Sequence, residues 1–140
     1  MKYTFSENSL DKLMTCESSL IQITRKALSY GIMDFSVIEG HRTIERQNEL
    51  FNQKLTKLDG YIKMSKHNYV ISRAIDLLPY PTYVNKINVW KDSQRFCVLA
   101  GLIYAASCEL GHSVVWGGDW NGDGNNADSN FMDMAHFELK

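Results

Sequence analysis

The sequence predicts an α+β domain in which helices pack against a small antiparallel sheet. Three observations predict it. Apolar residues recur at helical spacing through residues 8–30 and again through 93–110. Four stretches near 35–38, 74–78, 113–116 and 133–138 are too short for helices and read as strands. Glycine and asparagine or aspartate mark several of the joins.

Taken in order, residues 8–30 form two helices. Leu10, Leu13 and Met14 share a face of the first, and Leu20, Ile23, Ala27 and Leu28 continue in the second. Thr15 to Ser19 supply the break and a cap, and Gly31 ends the second helix. Phe35 to Ile38 is a strand that runs into a turn at Gly40, and Thr43 caps a helix reaching Leu55. Asp59-Gly60 signals a turn in the loop from Leu55 to Met64. A strand carries Asp76 inward, and an aromatic-rich loop follows from Pro79 to Val89. With Tyr80, Tyr83 and Trp90, that loop either lines a groove or caps the core. The longest helix starts at Asp92 or Ser93, buries Phe96, Leu99, Leu102, Ile103 and Ala106, and stops before Gly111. His112, just past that helix end, reads as structural. The strand Ser113 to Trp116 and the turn at Gly117-Gly118 lead to a polar loop and a last strand holding Asp133 and His136.

Length and charge narrow the function. At 140 residues the chain is expected to be one domain, and a net charge of −1 offers no general field for nucleic acid or an anionic membrane. Cys16, Cys97 and Cys108 are odd in number and widely spaced, which argues against a disulfide framework and against a thiolate metal site; buried thiols are expected. No apolar run approaches the ~20 residues of a membrane span, and the N-terminus lacks the apolar core of a signal peptide. A cytoplasmic, non-membrane product is expected.

The chemistry gathers in Ser65-Lys-His67, Arg73-Ala-Ile-Asp76 and the closing Asp133-Met-Ala-His136-Phe-Glu138. Two imidazoles and a carboxylate suit a zinc ion that keeps a fourth position open for water, which leaves one carboxylate free to move protons. The oxygen-bearing side chains of Asp119, Asn121, Asp123, Asn125 and Asp128, with Gly124 in sixth position, match the first half of a calcium loop. Asn130 stands where an EF-hand has its bidentate glutamate, so a true EF-hand is not expected, and a merely solvated loop is the alternative.

The wording Ser-x-His, Ala-x-Asp and Asp-x-x-His-Phe-Glu resembles the zinc D-Ala-D-Ala carboxypeptidase and L-alanyl-D-glutamate peptidase family, especially the single-domain phage endolysins. The resemblance runs from Gly40 to Glu138. It implies the zinc D,D-peptidase-like (hedgehog/carboxypeptidase) fold, zinc on His67, Asp76 and His136, and Asp133 as acid/base. Gly40-His41-Arg42-Thr43 is similar to the family's Gly-Tyr-Arg-Ser/Thr segment, which places Arg42 in the active site. His41, where the family has an aromatic, is expected to pack at the rim. Ser65, Gln47 and Glu138 are expected to support the site or meet substrate, and on a regular strand Glu138 shares a face with His136. Asp133 and His136 would face opposite sides of such a strand, so a bend must bring both to the metal. Trp116 and Trp120 are expected in the groove.

The first motif departs from the family's His-x-x-Gly-x-Ala-x-Asp. It is two residues longer, and Ser72 stands where glycine is usual, a strained position if the backbone there needs positive φ. The resemblance implies a monomeric phage endolysin cutting the peptide stem of peptidoglycan, at the L-alanyl-D-glutamate bond. A calcium-responsive loop is a feature of some phage members. Such a protein waits in the host cytoplasm and reaches the periplasm and wall by a separate route such as a holin. The alternatives are a D,D-carboxypeptidase or dipeptidase of the same fold, or a peptide- or calcium-binding module that has lost catalysis.

Overall fold

The computed structural model describes residues 1–125 and 132–140. Two helices open the chain, α1 (Glu7–Leu13) and α2 (Ser18–Ser29). Ser6 caps α1 by accepting the Ser9 amide, whereas α2 begins without a side-chain cap. The break between them lies where the sequence puts it, but Thr15 caps neither helix. Its hydroxyl instead accepts the His41 amide at 2.8 Å and ties the turn to the next strand's end.

Strand β1 (Asp34–Glu39) leads to α3 (Ile44–Asn52), capped by Thr43. That helix stops short of Leu55 because Lys54 takes a left-handed conformation, φ 60°. Strand β2 (Ala74–Tyr80) extends past the expected end. The loop after it holds a hairpin of β3 (Tyr83–Val84) and β4 (Ile87–Asn88), then the scaffold helix α4 (Ser93–Glu109). Strands β5 (Val114–Trp116) and β6 (His136–Leu139) complete an antiparallel sheet of order β1-β2-β6-β5.

The core explains the order. Ile75 and Leu77 of β2, Phe137 of β6, and Phe35 and Val37 of β1 are buried against Leu20, Ile23 and Ala27 of α2 and Phe96, Leu99 and Ile103 of α4. Full burial of such side chains contributes roughly 1.5–3 kcal/mol each, which makes this layer a rigid floor. α4 keeps its apolar stripe inward, so Cys97 and Cys108, three turns apart on its outer face, are exposed; only Cys16 meets the expectation of burial. Trp116 is also buried rather than groove-lining. It stacks on Phe137, and its indole N–H donates to the Met134 carbonyl at 2.7 Å.

Candidate metal centre

Register brings the first two donors together. Asp76 of β2 lies directly opposite His136 of β6, because the two central strands pair Asp76 with His136 and Ala74 with Glu138. The third donor comes from a short 3₁₀ turn, Lys66–Asn68. Ser65 caps it by accepting the His67 amide, and Asn68 returns the bond by accepting the Ser65 amide at 2.9 Å. Ser65 is therefore a positioning group for His67, buried at the cleft wall.

The result is a triangle. His67 Nε2 is 3.1 Å from Asp76 Oδ1 and 3.2 Å from His136 Nδ1, and His136 Nδ1 is 3.2 Å from Asp76 Oδ1. Donors held at ~2.0–2.1 Å from a tetrahedral ion stand about 3.3 Å apart, so the spacing fits a zinc-sized ion. Among the described residues this is the group of three or more histidine, cysteine or acidic side chains with metal-ligand geometry. The outer nitrogens are fixed as well. His67 Nδ1 donates to the Gly40 carbonyl at 2.7 Å, and His136 Nε2 donates to Glu138 Oε1 at 2.8 Å. Each bond sets the tautomer that turns the remaining nitrogen inward. Glu138 is held in turn by Lys66, whose ammonium is 3.0 Å from Oε2.

Electrostatics follow the geometry. Burial opposes ionisation of Asp76, yet hydrogen bonds from His136 and His67 hold its carboxyl far below the usual range. Burial likewise works against a charged His136, but the Asp76 and Glu138 carboxylates outweigh it and push the imidazole up to about 9. In the metal-free protein His136 is thus a cation at neutral pH. Its stabilising ion pairs are fully present below the ordinary histidine value near ~6.5 and are lost as pH rises through about 9. We expect the chelated protein to melt several degrees lower at pH 9.5 than at pH 6.5. Below about 9, metal loading must displace one proton, which calorimetry in buffers of different ionisation enthalpy measures. Equal melting temperatures and no proton release would contradict a protonated His136.

Asp133 precedes β6 instead of lying in it, which resolves the difficulty of two residues on opposite strand faces. Its amide donates to the Gly117 carbonyl at 2.8 Å, its carbonyl accepts the His136 amide at 3.1 Å, and the Gly117 amide donates to the His136 carbonyl. A Cβ on Gly117 would lie 2.1 Å from the Asp133 carbonyl oxygen, so this approach needs glycine. Burial and then the Asp76 charge raise the Asp133 carboxyl above the ordinary range, against the pull of His136, His67 and Arg42.

Asp133, His67 and His136 line a cleft of about 280 Å³ with Arg42, Lys57, Trp120 and Glu138. A larger cavity of about 530 Å³ beside α1 and α2 is mostly apolar and holds none of these groups. Arg42 is no surface cation. Its Nε donates to Glu39 Oε1 at 2.8 Å, Nη1 donates to Gln47 Oε1 at 2.8 Å, and Nη2 reaches Glu39 and stands 3.6 Å from Asp76. Glu39, which no motif in the sequence marks, arrives through a bulge. Val37 pairs with Leu77 and Glu39 with Asp76, so Ile38 is the extra residue and Glu39 comes level with the site. Gln47 is fully buried and braces Arg42. His41 does not line this cleft; it is half-buried and bonded through Nδ1 to the Tyr69 carbonyl. Tyr80, Tyr83 and Trp90 are exposed and line none of this cleft; Trp90 packs near Phe96.

The longer first motif is accommodated as a bulge. Tyr69, Val70 and Ile71 project outward, and Ser72 does not take positive φ. Instead its amide donates to the Thr15 carbonyl and its hydroxyl to the Ala74 carbonyl at 2.8 Å, anchoring the loop.

In the polar loop, Asp119 turns inward and accepts the amides of Gly122, Asp123 and Gly124, while Asp123 accepts the Asn121 side chain and the Asn125 amide. Asp128 and Asn130 lie outside the described residues.

Two imidazoles and a carboxylate at ligand spacing, with a second carboxylate and a braced arginine across the cleft, are the equipment of a metal-assisted hydrolase. The chain belongs to the phage L-alanyl-D-glutamate peptidase family, whose model matches residues 1–140. It is 29% identical over 143 aligned positions to the L-alanyl-D-glutamate peptidase of Escherichia phage T5, covering 99% of both chains. The crystal structure of the Serratia marcescens L-Ala D-Glu endopeptidase ChiX matches with a TM-score of 0.74 and 25% identity, over 98% of this chain and 90% of that one.

Proposed function

We propose that this chain is a zinc-dependent endolysin that hydrolyses the L-alanyl-D-glutamate bond in the peptide stem of bacterial peptidoglycan. The observation that carries the reading is the His67, Asp76 and His136 triangle at the base of the cleft that Asp133 and Arg42 line. These three residues would hold the ion. Zinc bound there supplies Lewis acidity and lowers the pKa of a water toward ~7. Asp133 takes the proton of the attacking water on a carboxylate oxygen and delivers it to the departing amine nitrogen. Its raised pKa brings it closer to the working pH, as general acid–base catalysis favours. Arg42, held in orientation by Glu39 and Gln47, faces the negative charge that develops on the carbonyl oxygen. Glu138 keeps the His136 ring aligned.

The 140 residues act as one monomeric catalytic domain that meets its substrate after a holin or similar route opens the inner membrane. No helix of the described residues is long and apolar enough to cross a membrane. Mass spectrometry of digested, purified wall tests the bond choice. New amino-terminal D-glutamate on the stem fragments is expected; release of D-alanine instead would mean a D,D-carboxypeptidase.

Calcium as a regulator is part of this reading. Asp119 and Asp123 already shape a tight loop just after Gly117, whose carbonyl accepts the Asp133 amide, so an ion bound there would act on the acid/base. With zinc held equal, added calcium is expected to raise wall lysis and melting temperature over a calcium-free control. Identical values in both samples would remove calcium from the account.

A further inference from the structure

His67 and Asp76 are nine positions apart, and the chain between them does little to fix one against the other. Tyr69, Val70 and Ile71 loop outward into solvent. His67 itself rides on a turn of three residues, Lys66–Asn68, whereas His136 is carried on a strand between two partners. The Arg42 amide on the His67 carbonyl and the Gly40 carbonyl on His67 Nδ1 tie the turn to the segment after β1, not to β6. A metal shared by His67 and His136 needs the turn and β6 held in a fixed relation, because ligand atoms must keep their spacing for the ion to bind tightly.

Lys66 makes that link. Its ammonium stands 3.0 Å from Glu138 Oε2 and donates to the Leu139 carbonyl, both on β6. The backbone closes the same circuit: the Arg73 amide donates to the Lys66 carbonyl at 3.0 Å, and the Leu139 amide donates to the Arg73 carbonyl at 3.0 Å. Turn, β2 lead-in and last strand are thus joined in one ring of hydrogen bonds. The other oxygen of Glu138 accepts from His136 Nε2 at 2.8 Å, so a single carboxylate bridges the lysine and a ligand imidazole. With side chains only 32% and 20% exposed, this ion pair is shielded from the solvent that makes open surface pairs loose. We propose that Lys66 is a positioning residue that holds the two histidine ligands in register, His67 through its own turn and His136 through Glu138, and so sets metal affinity. This rests on the zinc site of the peptidase reading above.

The test is the zinc affinity of the full chain, measured by competition with a chromophoric chelator, beside the melting temperature of the zinc-free protein. Lys66→Met is expected to weaken zinc binding roughly 10–100-fold, the range for loss of an outer hydrogen-bond partner, while Lys66→Arg, which keeps the charge and the donors, stays close to wild type. Combined with Glu138→Gln, Lys66→Met should cost less than it does alone, since both changes release the same imidazole. A Lys66→Met protein that melts lower or fails to fold, yet shows no loss of zinc affinity wherever it is folded, makes the residue structural and overturns the inference. So does a loss that Lys66→Arg shares in full, or losses that multiply in the double variant; each leaves the peptidase reading standing. A folded wild type that takes up no zinc overturns that reading and the inference with it.

Discussion

Asp133→Asn is expected to keep its metal and its fold and to lose about 10²- to 10⁴-fold in wall lysis, the usual worth of a positioned general acid/base. Asp133 is placed by backbone bonds to Gly117 and His136, none of which the amide side chain disturbs. The metal triangle closes without it. Asparagine cannot accept the water's proton, so the loss belongs in kcat. Metal content by elemental analysis and single-turnover cleavage of a soluble stem peptide check it together. Near-normal turnover in Asp133→Asn would move the acid/base role elsewhere, with Glu138 the other carboxylate lining the same cleft.

His136→Ala should cost the metal itself. This imidazole is a cross-strand neighbour of Asp76, and its removal opens the triangle and leaves the Asp76 and Glu138 carboxylates without a shared partner. Losing an outer hydrogen-bond partner typically lowers metal affinity ~10–100-fold, and losing the ligand should exceed that range. Lysis should fall to background. Glu138→Gln serves as the graded control, weakening metal binding within that range. A His136→Ala protein that holds one ion as tightly as wild type would contradict the assignment.

Much of this site is legible in the sequence, because ligand identity is carried by residue type and short spacing. His67, Asp76 and His136 stand out as imidazole and carboxylate groups within recognisable wording, and the structure brings them within 3.2 Å of one another. What was not legible depends on partners distant in sequence or on local irregularity. Glu39 reaches Arg42 only because Ile38 is bulged out of the β1–β2 ladder. Asp133 leaves the last strand because Gly117 admits its backbone, and no periodicity in the strand announces that. Lys66 looks like a spacer in Ser-x-His, yet it clasps Glu138 across the chain.

Packing also decides where the structure departs from the sequence pattern. Cysteine counts as a small hydrophobe, but on α4 the larger apolar residues claim the inner stripe and turn Cys97 and Cys108 outward. Trp116 has the composition of a groove residue, and its indole instead finds a buried acceptor in Met134. Ser72 in place of glycine suggested strain that the longer, outward-bulging loop removes.

A metal held by His67, Asp76 and His136 is central to the proposed activity, and one measurement tests it most directly. Purified protein is stripped with a chelator, assayed on permeabilised bacterial walls, then titrated with zinc while bound metal is counted. One zinc per chain, with lysis absent beforehand and restored in proportion to occupancy, is the result predicted. Lysis that persists in the stripped protein, or a folded chain that takes up no zinc, would contradict it.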